Sequence, residues 1–166
     1  LIVTHCRSAS NDTWKRLRIN VTNVLTPTSI DVLQRGLFEK AKQQRDSQFH
    51  GLYAEVFRAD VLLHAYLLCR ARNTHAAGVD GISLADIATY GARKWLKELE
   101  SDLKEQRYQP KALLRIAYIL AEGKTVARDI PTLRDEVCMT AAAIVVEPIV
   151  AAWLASLLDP TSPRSR

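Results

Sequence analysis

A chain of 166 residues, 48% hydrophobic and 25% charged, has the length and composition of one globular domain with a packed core, with room for an extension. Aromatic residues make up only 7%, which excludes base stacking as the main grip on a nucleic acid. A net charge of +5 and a pI near 9.3 permit a polyanionic partner without requiring one.

The positive excess sits at the front. Residues 1–58 hold nine Lys/Arg against five Asp/Glu, whereas residues 59–110 hold seven of each. The three cysteines, Cys6, Cys69 and Cys138, are odd in number and far apart. They form neither a disulfide framework nor a Cys-x-x-Cys zinc knuckle, so a reducing, cytoplasmic setting is expected. The opening residues 1–7 are too short and poorly flanked for a signal peptide. The chain begins on Leu1 rather than an initiator methionine, as a processed chain or an excised piece would.

Residues 1–27 read as a loosely specified leader. A helical pattern over 14–25 is weakened by Ile19, Val21 and Val24. After Thr26-Pro27, Thr28 and Asp31 have capping-box spacing and open a helix predicted over 29–45. Ile30, Leu33, Leu37 and Phe38 share one face of it, and Arg35, Lys40, Lys42 and Arg45 the other. Phe49, Leu52, Tyr53, Val56 and Phe57 repeat at helical spacing, and a more apolar helix is expected over 59–72. A loop with two glycines runs from Asn73 to Gly81. Ser83 and Asp86 then form a second capping box, opening one long helix to about Arg107, with Leu84, Ile87, Trp95, Leu99 and Leu103 inward.

Beyond Pro110 the pattern turns β-prone. Strands at 113–120 and 125–130 around Glu122-Gly123 predict a hairpin. Thr132 with Asp135 caps the last helix, whose stretch 137–158 carries a single charge, Glu147, and a proline, Pro148. Its length would suit a membrane span. The central acid and proline and the lack of flanking basic clusters argue instead for a helix buried between domains. Residues 159–166 read as a disordered tail. The expected fold is mainly α (α+β): a helical body over 28–158 with one short antiparallel hairpin and a long apolar C-terminal helix.

Motifs that would carry chemistry are mostly incomplete in this chain. Gly123-Lys124-Thr125 ends like a phosphate loop, but the required earlier glycine is Tyr118 and the following helix is missing. No Asp-Asp pair offers a local two-metal site. His64, amid 61–68, reads as a core histidine, and His5 beside Cys6 has no second ligand pair at metal spacing. No serine sits in a nucleophile elbow.

Four blocks nevertheless stand in a recognisable order. The first is Thr26-Pro27, Leu33-Gln34-Arg35 and Lys40-Ala41-Lys42, continuing through Phe49, Leu52-Tyr53 and Asp60-Val61-Leu62. The second is Asn73-Thr-His-Ala-Ala-Gly78-Val79-Asp80-Gly81-Ile82-Ser83. The third is Leu99 with Leu103 and then Tyr108-Gln-Pro110. The fourth is Ile130-Pro131-Thr132-Leu133-Arg134-Asp135, leading through Ala141-Ala142 to Val146-Glu147-Pro148-Ile149. Over positions 26–148 the chain resembles the start of the group II intron reverse transcriptase/maturases.

The resemblance implies a fingers region that clasps template and intron RNA. Arg35, Lys40, Lys42 and Arg45 would present a basic face, and Gly78 and Gly81 would let backbone N–H groups approach phosphates. The hairpin would be the fingertip, and Arg134 would face the nucleic-acid channel. Asp80 and Asp135 have an alternative reading as turn and helix caps. The chain departs from the family at Thr74 and His75, where a lysine and a glycine are usual. It departs again at Ile119-Leu120 and 126–129, where the nucleotide-facing lysine and arginine are missing. Lys124 and Arg128 are the substitutes that a shifted register would supply.

After Ile149 the family's Tyr-Gly-Phe-Arg-Pro segment is echoed only by Pro163-Arg164. The palm aspartates and the Tyr-Ala-Asp-Asp turn are absent, as in a truncated or decayed mobile-element gene. No cofactor is therefore expected in this piece, Mg²⁺ being implied only for a full-length relative. Three readings stay open. One is a non-catalytic fragment binding structured, intron-like RNA, and another is an enzyme fragment that needs a separate palm. The third is a repurposed or inert helical protein. The surface from Ile144 to Leu158 would meet a palm or a second copy, with no membrane involved.

Overall fold

The computed structural model describes residues 24–43, 48–72, 77–119 and 124–158. The expected leader helix thus lies outside the described residues, except for Val24 and Leu25, which are not helical. Outside them too are the Glu122-Gly123 turn and the tail 159–166.

Proline sets the entry to the body. The Pro27 carbonyl accepts the N–H groups of Ile30 and Asp31 at 3.1 and 3.0 Å, opening α1, Thr28–Gln43. Thr28 is therefore the first helical residue rather than its cap, because the proline before it already holds a helix-compatible φ. Asp31 instead pairs with Arg35 one turn on, at 2.7 Å. The predicted inward face holds: Ile30 and Phe38 are buried, and Gln34 and Ala41 join them.

Helix α2, Leu52–Val56, is only five residues long, and Gly51, at φ 79°, bends the chain immediately before it. Arg58 then forks, donating to Glu55 at 2.8 Å and to both Asp60 carboxylate oxygens at 3.0 and 2.8 Å. This staples α2 to α3, Ala59–Arg72, whose Val61, Leu62, Ala65, Tyr66 and Cys69 enter the core. His64 is buried there, as expected.

The helix expected from Ser83 to Arg107 is two helices, α4, Leu84–Tyr90, and α5, Ala92–Lys104. The break is Gly91, at φ 101° and ψ 100°, a conformation that an L side chain would resist. The change of direction turns both Ile87 and Trp95 into the core. Strands β1, Leu114–Ile119, and β2, Thr125–Ile130, pair antiparallel from Leu114↔Ile130 to Ile119↔Thr125. Apart from Ile130, β2 is exposed along its length.

The last helix, α6, Leu133–Leu158, runs through Pro148 without interruption. One side of it lies under α1, α2 and α3 and buries Val137, Ala141, Ile144, Val145, Ile149 and Ala152. Pro148 has no N–H, so the Ile144 carbonyl one turn earlier loses its helical donor. The amide of the fully buried Gln34 takes that place, donating from Nε2 to the Ile144 oxygen at 2.9 Å. By length and composition Leu133–Leu157 is apolar enough to cross a membrane. It is not enclosed on all sides, however: Trp153 and Leu157 are 45% and 79% exposed.

Candidate nucleic-acid interface

The residues nominated from the sequence fall into three places. On α1, Arg35 is held by Asp31, and Lys40 lies with its Nζ 5.2 Å from the centre of the Phe49 ring. Lys42 is exposed and makes no ion pair among the described residues, whereas Arg45 lies outside them. The two lysines stand in the last turn of the helix, where positive charge also offsets the helix dipole.

Of the glycine loop, residues 77–81 are described. Gly78 is buried against the start of α6: a Cβ there would come within 2.7 Å of the Pro131 oxygen and the Thr132 Cα. Its missing side chain thus admits backbone rather than ligand. Gly81, at φ 68°, donates its N–H to the Gly78 carbonyl at 3.0 Å and closes a turn. The Asp80 carboxylate accepts from Ile82 N–H at 3.2 Å and lies 3.8 Å from Lys111 Nζ. Asp80 is the turn-stabilising residue of its alternative reading.

Asp135 likewise caps. Its N–H donates to Thr132 Oγ1 at 3.2 Å, and its carboxylate accepts from the Thr132 hydroxyl, from Lys111 N–H at 3.3 Å and from the Tyr108 phenol. Burial, and then the Asp135 carboxylate, push the Tyr108 phenol far above its ordinary range. Tyr108 therefore stays a hydrogen-bond donor at neutral pH. Burial also pushes the neighbouring Cys138 thiol up to about 11, although its contact with Tyr108 opposes the rise.

Arg134 donates to Asp102 at 2.7 Å and lines a cleft of about 220 Å³ with Arg107, Gln109 and Lys111. Sequence reasoning nominates Arg134 alone of this group, and the Tyr108-Gln-Pro110 block is the available signal for its neighbours. Each cation in the cleft already faces a carboxylate: Arg134 and Arg107 face Asp102, and Lys111 faces Asp80. The cleft is consequently close to neutral.

The third place is the hairpin. Arg115 and Asp129 face each other across the strands in a bidentate pair at 2.7 and 2.9 Å. Arg128, opposite Ile116, is exposed and has no carboxylate partner among the described residues, and the same holds for Lys124. At the base of the hairpin Arg128 and Arg72 line a cleft of about 340 Å³ with Glu136, Met139 and Thr140. Arg72 is not nominated by the sequence, since nothing in the spacing of α3 links it to the hairpin.

The nominated cations do not form one cluster. Phe38 and Ala41 of α1 pack beside Ile149 and Ala152 of α6, whereas Arg134 stands at the opposite end of that helix. About 20 Å of helix axis separates them at 1.5 Å per residue. Among the described residues no group of three or more His, Cys, Asp or Glu gathers where it could hold a metal ion. Comparison of the chain with protein-family models and with curated proteins returns no match.

Proposed function

We propose that this chain is a non-catalytic, RNA-binding fingers fragment of the group II intron-type reverse transcriptases, acting on structured RNA in the cytoplasm. The observation that supports the reading best is that the four sequence blocks interlock. Gln34 of the first block donates to Ile144, which stands between Ala142 and Val146 of the fourth, 110 positions away. Gly78 of the second seats on Pro131 and Thr132 of the fourth. Tyr108 of the third donates to Asp135 of the fourth. Residues that share a family pattern for the sake of one fold are expected to meet in this way.

Affinity would come from exposed cations such as Lys40, Lys42, Arg72, Lys124 and Arg128, for which no carboxylate partner stands among the described residues. Arginine and lysine contacts to phosphate release counterions, so binding weakens steeply as salt rises. Titrating a labelled structured RNA with the chain at several salt concentrations tests this. Replacing Lys40, Lys42 and Arg45 together by alanine should weaken binding and flatten the log–log salt slope, by about 0.7–0.9 for each phosphate no longer neutralised. An affinity equal to that of an acidic control protein would reject the proposal.

A further inference from the structure

Two arginines from distant parts of the chain open onto the cleft of about 340 Å³ at the base of the hairpin. Arg72 ends α3, and Arg128 stands on β2 opposite Ile116. Both are exposed, and neither has a carboxylate partner among the described residues. Asp129 lines the cleft too, but its carboxylate is held by Arg115 at 2.7 and 2.9 Å. That leaves two uncommitted positive charges against one negative charge, Glu136 in the first turn of α6. In the cleft around Arg134 each cation already faces a carboxylate, so of the two clefts only this one keeps a positive excess.

The floor of the cleft is closed. Thr140 is 6% exposed there, and its hydroxyl meets the buried Cys69 Sγ at 3.4 Å. Burial pushes the Cys69 thiol up to about 11 against the Thr140 contact, and the charges of Glu136 and Arg72 act on it in opposite directions. Glu136 and Arg72 thus stand over the same floor, although no ion pair joins them among the described residues.

We propose that this cleft holds one ribonucleotide linkage of a bound RNA, with its phosphate between Arg72 and Arg128 and its 2′-hydroxyl donating to Glu136. The inference rests on the RNA-binding reading above and adds to it a residue that senses the sugar. Guanidinium forks match phosphate oxygens, and two of them reaching from different elements can share one phosphate. A phosphodiester carries one negative charge and cancels the net charge of the cleft, whereas the dianion of a phosphomonoester would set surplus negative charge against Glu136. An ionised carboxylate only accepts hydrogen bonds, so Glu136 calls for a donor beside the phosphate. In RNA that donor is the 2′-hydroxyl, which DNA lacks. A volume of about 340 Å³ stands near the small end of ligand sites and admits one nucleotide unit rather than a stretch of them.

Anisotropy titrations of the full chain with a labelled RNA stem-loop, and with the same stem-loop methylated at every 2′-oxygen, test the assignment. Methylation keeps the charge and the A-form duplex and removes the donor. The native chain should prefer the hydroxyl form by about tenfold or more, as one hydrogen bond to a charged group would give. Glu136→Ala should erase most of that preference, whereas Glu136→Gln, which keeps an acceptor, should retain part of it. Arg72→Ala and Arg128→Ala should each weaken both probes. Together they should lower the log–log salt slope by about 0.7–0.9, the loss of one shared phosphate. All three positions are exposed or half-buried, so far-UV circular dichroism should not change. A native chain that binds both probes equally, or a preference unchanged by Glu136→Ala, would overturn the inference and leave the RNA-binding reading standing. So would a slope that falls by the loss of two phosphates in the double variant. A native chain that binds neither probe would overturn both.

Discussion

Replacing Gln34 by leucine should destabilise the fold by an amount that depends on Pro148, far away in the sequence. In the native structure the Ile144 carbonyl has no donor from position 148 and receives the Gln34 amide at 2.9 Å in its place. Gln34→Leu keeps most of the volume and removes the donor, leaving a buried carbonyl unsatisfied at about 1–3 kcal/mol. Part of that returns, because the buried Gln34 Oε1 has no hydrogen-bond partner among the described residues and its removal ends a desolvation cost. A net destabilisation of about 1–2 kcal/mol is expected, or roughly 2–8 °C in Tm for a chain of this size.

Pro148→Ala restores an N–H one turn after Ile144 and makes the amide redundant. In that background Gln34→Leu should cost no more than about 0.5 kcal/mol, giving a coupling of about 1 kcal/mol in a four-variant cycle. Urea titrations followed by far-UV circular dichroism measure all four stabilities. Equal costs of Gln34→Leu in the two backgrounds would refute the substitution of amide for backbone donor. A neutral Gln34→Leu in the native background would do so as well.

Gly78→Ala should cost about 1–3 kcal/mol, because its Cβ would meet backbone atoms of Pro131 and Thr132 that cannot swing aside. Gly81→Ala, strained by its φ of 68° but facing open space, should cost about 1–2 kcal/mol. A Gly78→Ala variant as stable as the native chain in thermal melts would contradict the close seating of the loop on α6. Ser83→Ala should cost about 1 kcal/mol through removal of the α4 N-cap. The Ser83 hydroxyl and then its backbone N–H hold the Asp86 carboxyl below its ordinary value of 3.8. A depressed carboxyl adds stability above its unfolded value, and that stability is lost as pH falls through the folded one. The deficit of Ser83→Ala should therefore be full at about pH 7 and shrink only as pH falls below 3.8. An unchanged deficit would mean that Asp86 takes no part in the cap.

The elements are legible where local chemistry decides. The capping residues Ser83 and Thr132 stand one position before α4 and α6, and the two β-prone stretches on either side of Glu122-Gly123 are the strands of the hairpin. The differences are conformational. In the sequence Gly91 is one weak residue inside a long periodic helix, yet only a glycine lets the chain change direction there and keep both Ile87 and Trp95 inward. Pro27 shifts the start of α1 by one residue through its carbonyl, which no side-chain spacing reveals. The apolar last helix reads from composition as covered on all sides. Its buried and exposed sides separate only when its neighbours are in place.

The candidate site is harder to read, for a physical reason. Packed residues leave a pattern because each must fit a particular partner: Gln34 answers Pro148, Gly78 answers Thr132, and Tyr108 answers Asp135. An exposed lysine fits nothing in its own chain and leaves only its charge. Several of the nominated or neighbouring cations are internal connectors: Arg134 joins α6 to Asp102 of α5, and Lys111 reaches the Asp80 turn. Lys42, Arg72, Lys124 and Arg128, without a carboxylate among the described residues, lie on α1, at the end of α3 and on the hairpin, and Arg72 among them carries no signal in the sequence. It follows that the resemblance speaks mainly for the interlocking core, whereas the proposed RNA binding would rest on surface charge that the core does not specify. Core and surface then separate by experiment. Changes at Gln34 or Gly78 should lower stability first and affinity only with it, while changes at Lys42 or Arg128 should leave stability intact and act on affinity alone.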